Sequence, residues 1–106
     1  MDLRSLFRNA KDVQDYPAGT VVFAEGEPGD VMYVVLDGEV EIRAGHQVVG
    51  VVESGDLIGE MALIDSKPRS ATAVAKSDCR LAAVDEKRFL FMVQQTPFFS
   101  LHVLRV

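Results

Sequence analysis

Two residues of opposite charge, Glu60 and Arg69, lie nine positions apart in the stretch "GEMALIDSKPRSAT" at 59–72. The guanidinium of an arginine is a planar donor that can bind two phosphate oxygens at once. A carboxylate accepts a hydrogen bond from a hydroxyl group. Together they could recognise a ligand that carries a phosphate beside a hydroxyl, as a ribose with a cyclic phosphate does. The alternative is an ion pair across a surface loop, which contributes only about 0 to 1 kcal/mol.

The residues around this pair predict a loop that could hold an anion. "GDLIGE" at 55–60 has the composition of a turn after a strand, and "EMALI" favours a helix of one to two turns with Gly59 at its start. The first N–H groups of a helix have no intrahelical partner and attract anions, and glycine lets a ligand approach the backbone closely. Pro68 favours an extended chain, so Arg69 is expected to begin a strand that returns along the same loop.

The elements that must position this loop are short strands separated by glycine-bearing turns. The turns are "PAGT", "GEPGD", "LDGE", "RAGH" and "ESGD". They predict an antiparallel meander that closes into a sandwich or a jelly-roll-like β-roll. We expect strands near 12–16, 20–24, 31–36, 40–43, 47–52, 70–75 and 80–84.

Helices are expected on both sides of the β-roll. "DLRSLFRNAK" predicts an N-terminal helix, and "DEKRFLFMVQQ" predicts a helix whose N-terminus is capped by Asp85. Pro97 fits the first turn of a last helix, "PFFSLHVLRV", which is still apolar where the chain stops. The fold class is therefore mainly β with flanking α-helices, with the β-roll at about 12–85 and the C-terminal helices at about 86–106.

Composition limits the classes of function. The chain has 106 residues, a net charge of −5 and 48% hydrophobic residues, which indicates a single globular domain. An excess of acids argues against direct binding of nucleic acid, and we expect a cytoplasmic protein because no membrane span or signal peptide is evident. Cys79 is expected to be a small buried residue. His46 and His102 lie too far apart in sequence to suggest a metal site, and no nucleophile with a base suggests an enzyme.

These motifs resemble the cyclic nucleotide-binding domain family. "GEMALIDSKPRSAT" is similar to its phosphate-binding cassette, in the form found in regulatory subunits of cAMP-dependent protein kinase. Upstream, "FAEGEPGDVMYVVLDGEVEI" resembles the second recurrent block of the family, and "FLFMVQQTPFFSLHVL" resembles its hinge helix and the start of its C-terminal helix. The resemblance covers nearly the whole chain.

The resemblance implies a role for each matching residue. Glu60 would bind the ribose 2′-hydroxyl and Arg69 the cyclic phosphate. The phosphate shell would be completed by Gly59, by the backbone N–H groups of Met61 and Ala62, and by Ser70 and Ala71. The strand with Val49, Gly50 and Val52 would form an apolar floor for the ribose and the base.

The function implied is a regulatory sensor that binds a cyclic nucleotide, with cAMP favoured over cGMP, and moves its C-terminal helices. No cofactor or metal is expected. The C-terminal helix would meet a second copy of the chain or a further domain. Two alternatives stay open: a structural or protein-interaction domain that binds no nucleotide, and the sensor fragment of a catabolite-activator-type transcription regulator. Ser70 could contact either purine, so the base is left undecided by the residues alone.

Overall fold

The computed structural model describes residues 13–61, 63 and 67–95. Three expectations fall wholly or partly outside these residues: the N-terminal helix, the last helix after Pro97, and the short helix that contains Ala62. Within the described chain Met61 and Leu63 are helical, and the N–H of Leu63 donates to the carbonyl oxygen of Glu60 over 3.1 Å. The chain therefore forms a tight turn directly after Gly59, where the sequence predicts the helix to begin.

The described part of the chain contains eight strands and one long helix. The strands are β1 (Val13–Tyr16), β2 (Val21–Phe23), β3 (Val31–Asp37), β4 (Glu39–Ala44), β5 (Gln47–Glu53), β6 (Leu57–Ile58), β7 (Thr72–Ala75) and β8 (Cys79–Asp85), and the helix is α1 (Glu86–Gln95). The N–H of Arg88 donates to the carboxylate of Asp85 over 2.8 Å, which confirms the predicted N-terminal cap of α1. The mainly β fold with a flanking helix is the predicted class.

The strands form two four-stranded antiparallel sheets and not the meander that the turns suggested. One sheet has the order β1-β8-β3-β6 and the other β2-β7-β4-β5. Only β4 and β5 are neighbours both in sequence and in a sheet. The meander prediction was wrong because most of the turns lead the chain from one sheet to the other. The hydrogen-bonded neighbour of a strand therefore comes from a distant segment of the sequence.

The strand β6 was missing from the sequence prediction, which treated "GDLIGE" as a turn. Leu57 and Ile58 pair with Val34 and Tyr33 of β3 and are almost completely buried. A strand of two residues leaves too short a pattern to recognise. Its effect on the site is large, because it fixes the backbone directly before Gly59.

The strand β3 separates the two halves of the core. Met32, Val34 and Leu36 pack with Phe89 of α1, whereas Val35 packs with the residues between the two sheets. All four β3 residues have no exposed surface. A strand buried on both faces explains why "VMYVVL" is a continuous apolar run.

Cys79 is buried at the start of β8, as its sequence context predicted. It is 4% exposed, and its Sγ lies 3.1 Å from the carbonyl oxygen of Glu39. A Cβ atom at Gly38, which has a φ of +90°, would overlap the carbonyl oxygen of Asp78 and come within 2.8 Å of this Sγ. Glycine at this turn therefore makes room for the thiol.

Alkaline pH should destabilise the protein partly through Cys79. Burial raises the pKa of its thiol above the ordinary value of 9.0, so the unfolded chain loses its proton first as the pH rises. The stability that the protonated, buried thiol contributes is complete below about pH 9 and is lost above it. Cys79→Ala should show a shallower fall in the free energy of unfolding between about pH 8 and about pH 10 in urea titrations. Burial also raises the pKa of Tyr16, but it does so in both proteins, so this effect cancels in the comparison. An equally steep fall in Cys79→Ala would contradict the contribution of the thiol.

Candidate functional site

A cleft of about 330 Å³ opens where the loop between β6 and β7 crosses the second sheet. The loop supplies one wall, and β2, β4 and β5 supply the other. The cleft is lined by Phe23, Ile42, Val52, Leu57, Ile58, Gly59, Glu60, Met61, Lys67, Pro68, Arg69, Ser70 and Ala71. Its charged residues are two cations and one carboxylate, in a chain with a net charge of −5. The cleft is thus locally favourable for an anion.

Arg69 is buried in this cleft and is held through both ends of its guanidinium. It is 6% exposed. Its Nη1 donates to the carbonyl oxygen of Gly59 over 3.0 Å, and its Nη2 donates to that of Val31 over 2.6 Å. Two fixed carbonyl groups therefore hold the guanidinium at the base of the cleft.

The backbone of Arg69 is fixed as well. Its N–H donates to the carbonyl oxygen of Glu27, and its own carbonyl accepts from the N–H of Gly26, both over 2.8 Å. This pairing connects the loop after Pro68 to the turn that follows β2. Because β7 begins only at Thr72, the expected strand start at 70 was two residues too early.

One donor of Arg69 has no partner among the described residues. Its Nε is buried, and none of the described groups accepts a hydrogen bond from it. A buried donor without an acceptor costs about 1 to 3 kcal/mol. An anion that reached this edge of the guanidinium would remove that cost, so the residue is suited to bind a phosphate.

Gly59 gives Arg69 the room it occupies. Gly59 has a φ of +76°, which favours glycine, and a Cβ atom there would overlap the Nη1 atom of Arg69. The same Cβ would lie 3.3 Å from the ring of Phe23. The close approach of the guanidinium is therefore a reason for this glycine, and the approach of a ligand stays a prediction.

Glu60 lies in the same cleft and is 8% exposed. A carboxylate that is removed from water is stabilised by hydrogen bonds or by a neighbouring cation. Glu60 and Arg69 therefore lie in one cleft, although they are nine positions apart in sequence. Neither residue is in the exposed position that the alternative of a surface ion pair requires.

Some of the other predicted site residues line the cleft, and others do not. Met61, Ser70, Ala71 and Val52 line the cleft, whereas Ala62 lies outside the described residues. Val49 and Gly50 are on β5 but are not among the residues that line the cleft in the described chain. Gly50 pairs with Ile42, and Arg43 pairs with Val48. Val49 is therefore the extra residue of a β-bulge, and it is 60% exposed.

Sequence reasoning missed several residues of the cleft. Phe23 and Ile42 come from strands far from the loop in sequence, and Leu57 and Ile58 come from the unrecognised strand β6. Lys67 and Pro68 were inside the quoted stretch but received no binding role. The pairing of β2 with β7 brings Phe23 to Arg69, and a local pattern carries no signal of that pairing.

Neither a metal-ligand cluster nor a membrane-spanning helix occurs among the described residues. No group of three or more His, Cys, Asp or Glu side chains in the described chain could hold a metal ion. No helix within the described segments is long and apolar enough to cross a membrane.

Comparisons with known proteins agree on one family. Residues 13–96 match the family described as "Cyclic nucleotide-binding domain". A cAMP-dependent protein kinase regulatory subunit from Pyricularia oryzae is 41% identical over 81% of this chain and 23% of its own length. A CRP-like cAMP-activated global transcriptional regulator from Mycobacterium tuberculosis is 33% identical over 87% of this chain and 43% of its own length.

A solved structure has the same fold. The catabolite activator protein of Thermus thermophilus superposes with a TM-score of 0.76 at 33% identity, covering 88% of this chain and 46% of that chain. The chain therefore spans less than half the length of each of these relatives, which are regulatory proteins. With a family match across most of its length, the two-sheet β-roll and the buried Glu60 and Arg69, this chain belongs to the cyclic nucleotide-binding domain family.

Proposed function

We propose that the chain is a regulatory sensor module that binds a cyclic nucleotide in the cleft, with cAMP preferred over cGMP. The observation that carries the proposal is Arg69, a buried guanidinium held by two carbonyl groups with its Nε unpaired among the described residues. A cyclic phosphate supplies the oxygen that this donor lacks. Glu60 in the same cleft would accept the hydrogen bond of the ribose 2′-hydroxyl.

The remaining lining supports the rest of a nucleotide. Met61 and Ser70 stand beside the two charged residues, and Ile42 and Val52 form the apolar wall of the opposite sheet. The sugar phosphate would lie against the loop, with Ala71 and Gly59 leaving room for it and the N–H groups of Met61 and Ala62 as further donors. The base would then lie toward the apolar side near β5, where Val49 and Gly50 are.

The preference for cAMP is supported by the relatives, two of which carry cAMP in their names. The side chain of Ser70 is exposed beside Arg69 and is compatible with either purine. A competition measurement with both nucleotides therefore decides the preference. We expect cAMP to displace cGMP.

Ligand binding would be passed on to the C-terminal part of the chain without turnover of the nucleotide. The loop before β7 is bound to the turn after β2 through Arg69, and α1 packs on the core through Phe89. Movement of the loop on phosphate capture would change where α1 and the residues after it can pack. These residues would contact a second copy of the chain or a further domain. No cofactor is needed for this role.

Titration calorimetry with cAMP and with cGMP tests the proposal. We expect saturable heat with both ligands, tighter binding of cAMP and a rise in the melting temperature. The absence of heat and of a thermal shift at millimolar ligand would contradict binding and favour a structural domain that holds the same fold.

The role of Glu60 leads to a prediction with two ligands. Glu60→Gln replaces a charged acceptor by a neutral one, which should weaken cAMP binding about three- to tenfold. The binding of 2′-deoxy-cAMP should change less, because that ligand lacks the hydroxyl group. Calorimetry with both ligands on both proteins gives the comparison, and equal losses would contradict the assignment of the 2′-hydroxyl to Glu60.

A further inference from the structure

We infer that Phe23 is a positioning residue for Arg69, holding the face of the guanidinium while the two carbonyl groups hold its ends. The consequence for ligand affinity rests on the proposed function. The positioning itself is a property of the protein without ligand, and it can be measured separately.

The first observation is the contact between the ring and the guanidinium. The Cζ of Arg69 lies 4.2 Å from the centroid of the Phe23 ring. A cation within about 6 Å of an aromatic face is attracted by the negative face of the ring, and the attraction grows when water is excluded. Arg69 is 6% exposed, so water is largely excluded here.

The second observation is that the ring is itself held in place. Phe23 stacks on Tyr33 with centroids 6.1 Å apart and an interplanar angle of 22°. Tyr33 meets Tyr16 edge to face at 6.4 Å. We call Phe23, Tyr33 and Tyr16 the aromatic row. Because the ring of Phe23 stacks on Tyr33, it is itself restrained and can restrain the guanidinium that it contacts.

The third observation concerns the space around the guanidinium. The carbonyl groups of Gly59 and Val31 restrain Nη1 and Nη2, but they leave the guanidinium free to tilt about the line between them. The ring of Phe23 contacts the central carbon of the guanidinium and supplies a third restraint. Gly59 is close to both groups, since a Cβ there would approach Arg69 and Phe23 together. Three contacts therefore fix the orientation of the unpaired Nε.

A purely structural role for Phe23 would have different consequences. Phe23 packs against the residues between the sheets, so its loss should lower stability in any case. Phe23→Leu keeps most of the apolar volume but removes the aromatic face. Phe23→Tyr keeps the face. If Phe23 positions Arg69, the two variants should differ in the restraint of the guanidinium and in ligand affinity. Simple packing predicts no difference that depends on Arg69.

The first measurement uses the full chain without ligand. The Nε–H resonance of Arg69 in a 15N-labelled sample is assigned by its absence in Arg69→Lys. We expect it to be shifted upfield by the ring current and protected from exchange, in the wild type and in Phe23→Tyr. In Phe23→Leu both properties should be lost. An unchanged resonance in Phe23→Leu would overturn the positioning role, whether or not a nucleotide binds.

The second measurement is a double-mutant cycle by calorimetry with cAMP. We expect Phe23→Leu to weaken binding about 3- to 30-fold and Phe23→Tyr to bind nearly as well as the wild type. In the background of Arg69→Lys, Phe23→Leu should cause little further loss, since it acts through the arginine. Val52→Ala is the matched control for lost apolar lining, and its effect should be the same in both backgrounds.

The outcomes separate the two claims. If the wild type binds no nucleotide, the proposed function fails, and the resonance still decides the positioning. If the wild type binds but the losses from Phe23→Leu and Arg69→Lys are additive, Phe23 contributes only packing and the inference is overturned. Melting curves of every variant verify that each one is folded under the conditions of the titration.

Discussion

Replacing Arg69 by alanine is expected to weaken cAMP binding roughly ten- to a hundredfold, because one charge-assisted contact to the phosphate is worth about 1.5 to 3 kcal/mol. The same change removes the donors to the carbonyl groups of Gly59 and Val31. A lower melting temperature should therefore accompany the loss of affinity. Calorimetry and thermal melts measure the two effects separately.

The matched control for Arg69→Ala is Arg80→Ala. It removes the same charge from a side chain that is half exposed and paired with the exposed Asp15. Because such surface pairs contribute about 0 to 1 kcal/mol, affinity and stability should both change little. Arg69→Lys retains the charge but not the planar fork, and we expect most of the affinity to be lost in it as well. Wild-type affinity in Arg69→Ala would show that the ligand binds elsewhere.

Gly59→Ala should have the second large effect. A residue with a side chain at a φ of +76° costs about 1 to 2 kcal/mol, and the new Cβ would overlap the Nη1 atom of Arg69. The guanidinium must then leave its two carbonyl partners or the loop must shift. We expect lower stability in urea and a loss of cAMP affinity of about tenfold or more.

Gly19→Ala separates backbone strain from the overlap with Arg69. Gly19 has a φ of +90°, and a Cβ there would meet nothing within 4 Å. It should cost stability through strain alone and leave the affinity for cAMP unchanged. Equal affinity losses in the two variants would mean that the overlap with Arg69 is irrelevant.

Local patterns were sufficient for most of the individual elements and for predicting that Glu60 and Arg69 share one loop. Alternating apolar residues and glycine turns indicated β3, β4 and β5 within two residues of their observed bounds. Asp85 was recognised as a cap because its carboxylate needs only the next turn of the helix. Glu60 and Arg69 were recognised because both belong to one short motif. No knowledge of strand pairing was needed to relate them.

The partners of the strands could not be predicted from local patterns. Pairs such as β1 with β8 and β2 with β7 join residues at least 50 positions apart. Turn residues specify where a chain reverses but not which sheet receives it. For this reason Phe23 was not recognised as a neighbour of Arg69, and the restraint of the guanidinium by two carbonyl groups was not foreseen.

The burial of Cys79 has a practical consequence. It is the single cysteine of the chain and is 4% exposed. Its reaction with a thiol reagent under native conditions is therefore expected to be slow and to depend on local opening around β8. The rate of labelling reports those openings. If the proposed function is correct and the opened form does not bind nucleotide, the ligand should lower the rate by a factor of one plus the ratio of its free concentration to Kd. One native side chain thus offers a test of the proposed ligand binding in a protein that contains no tryptophan.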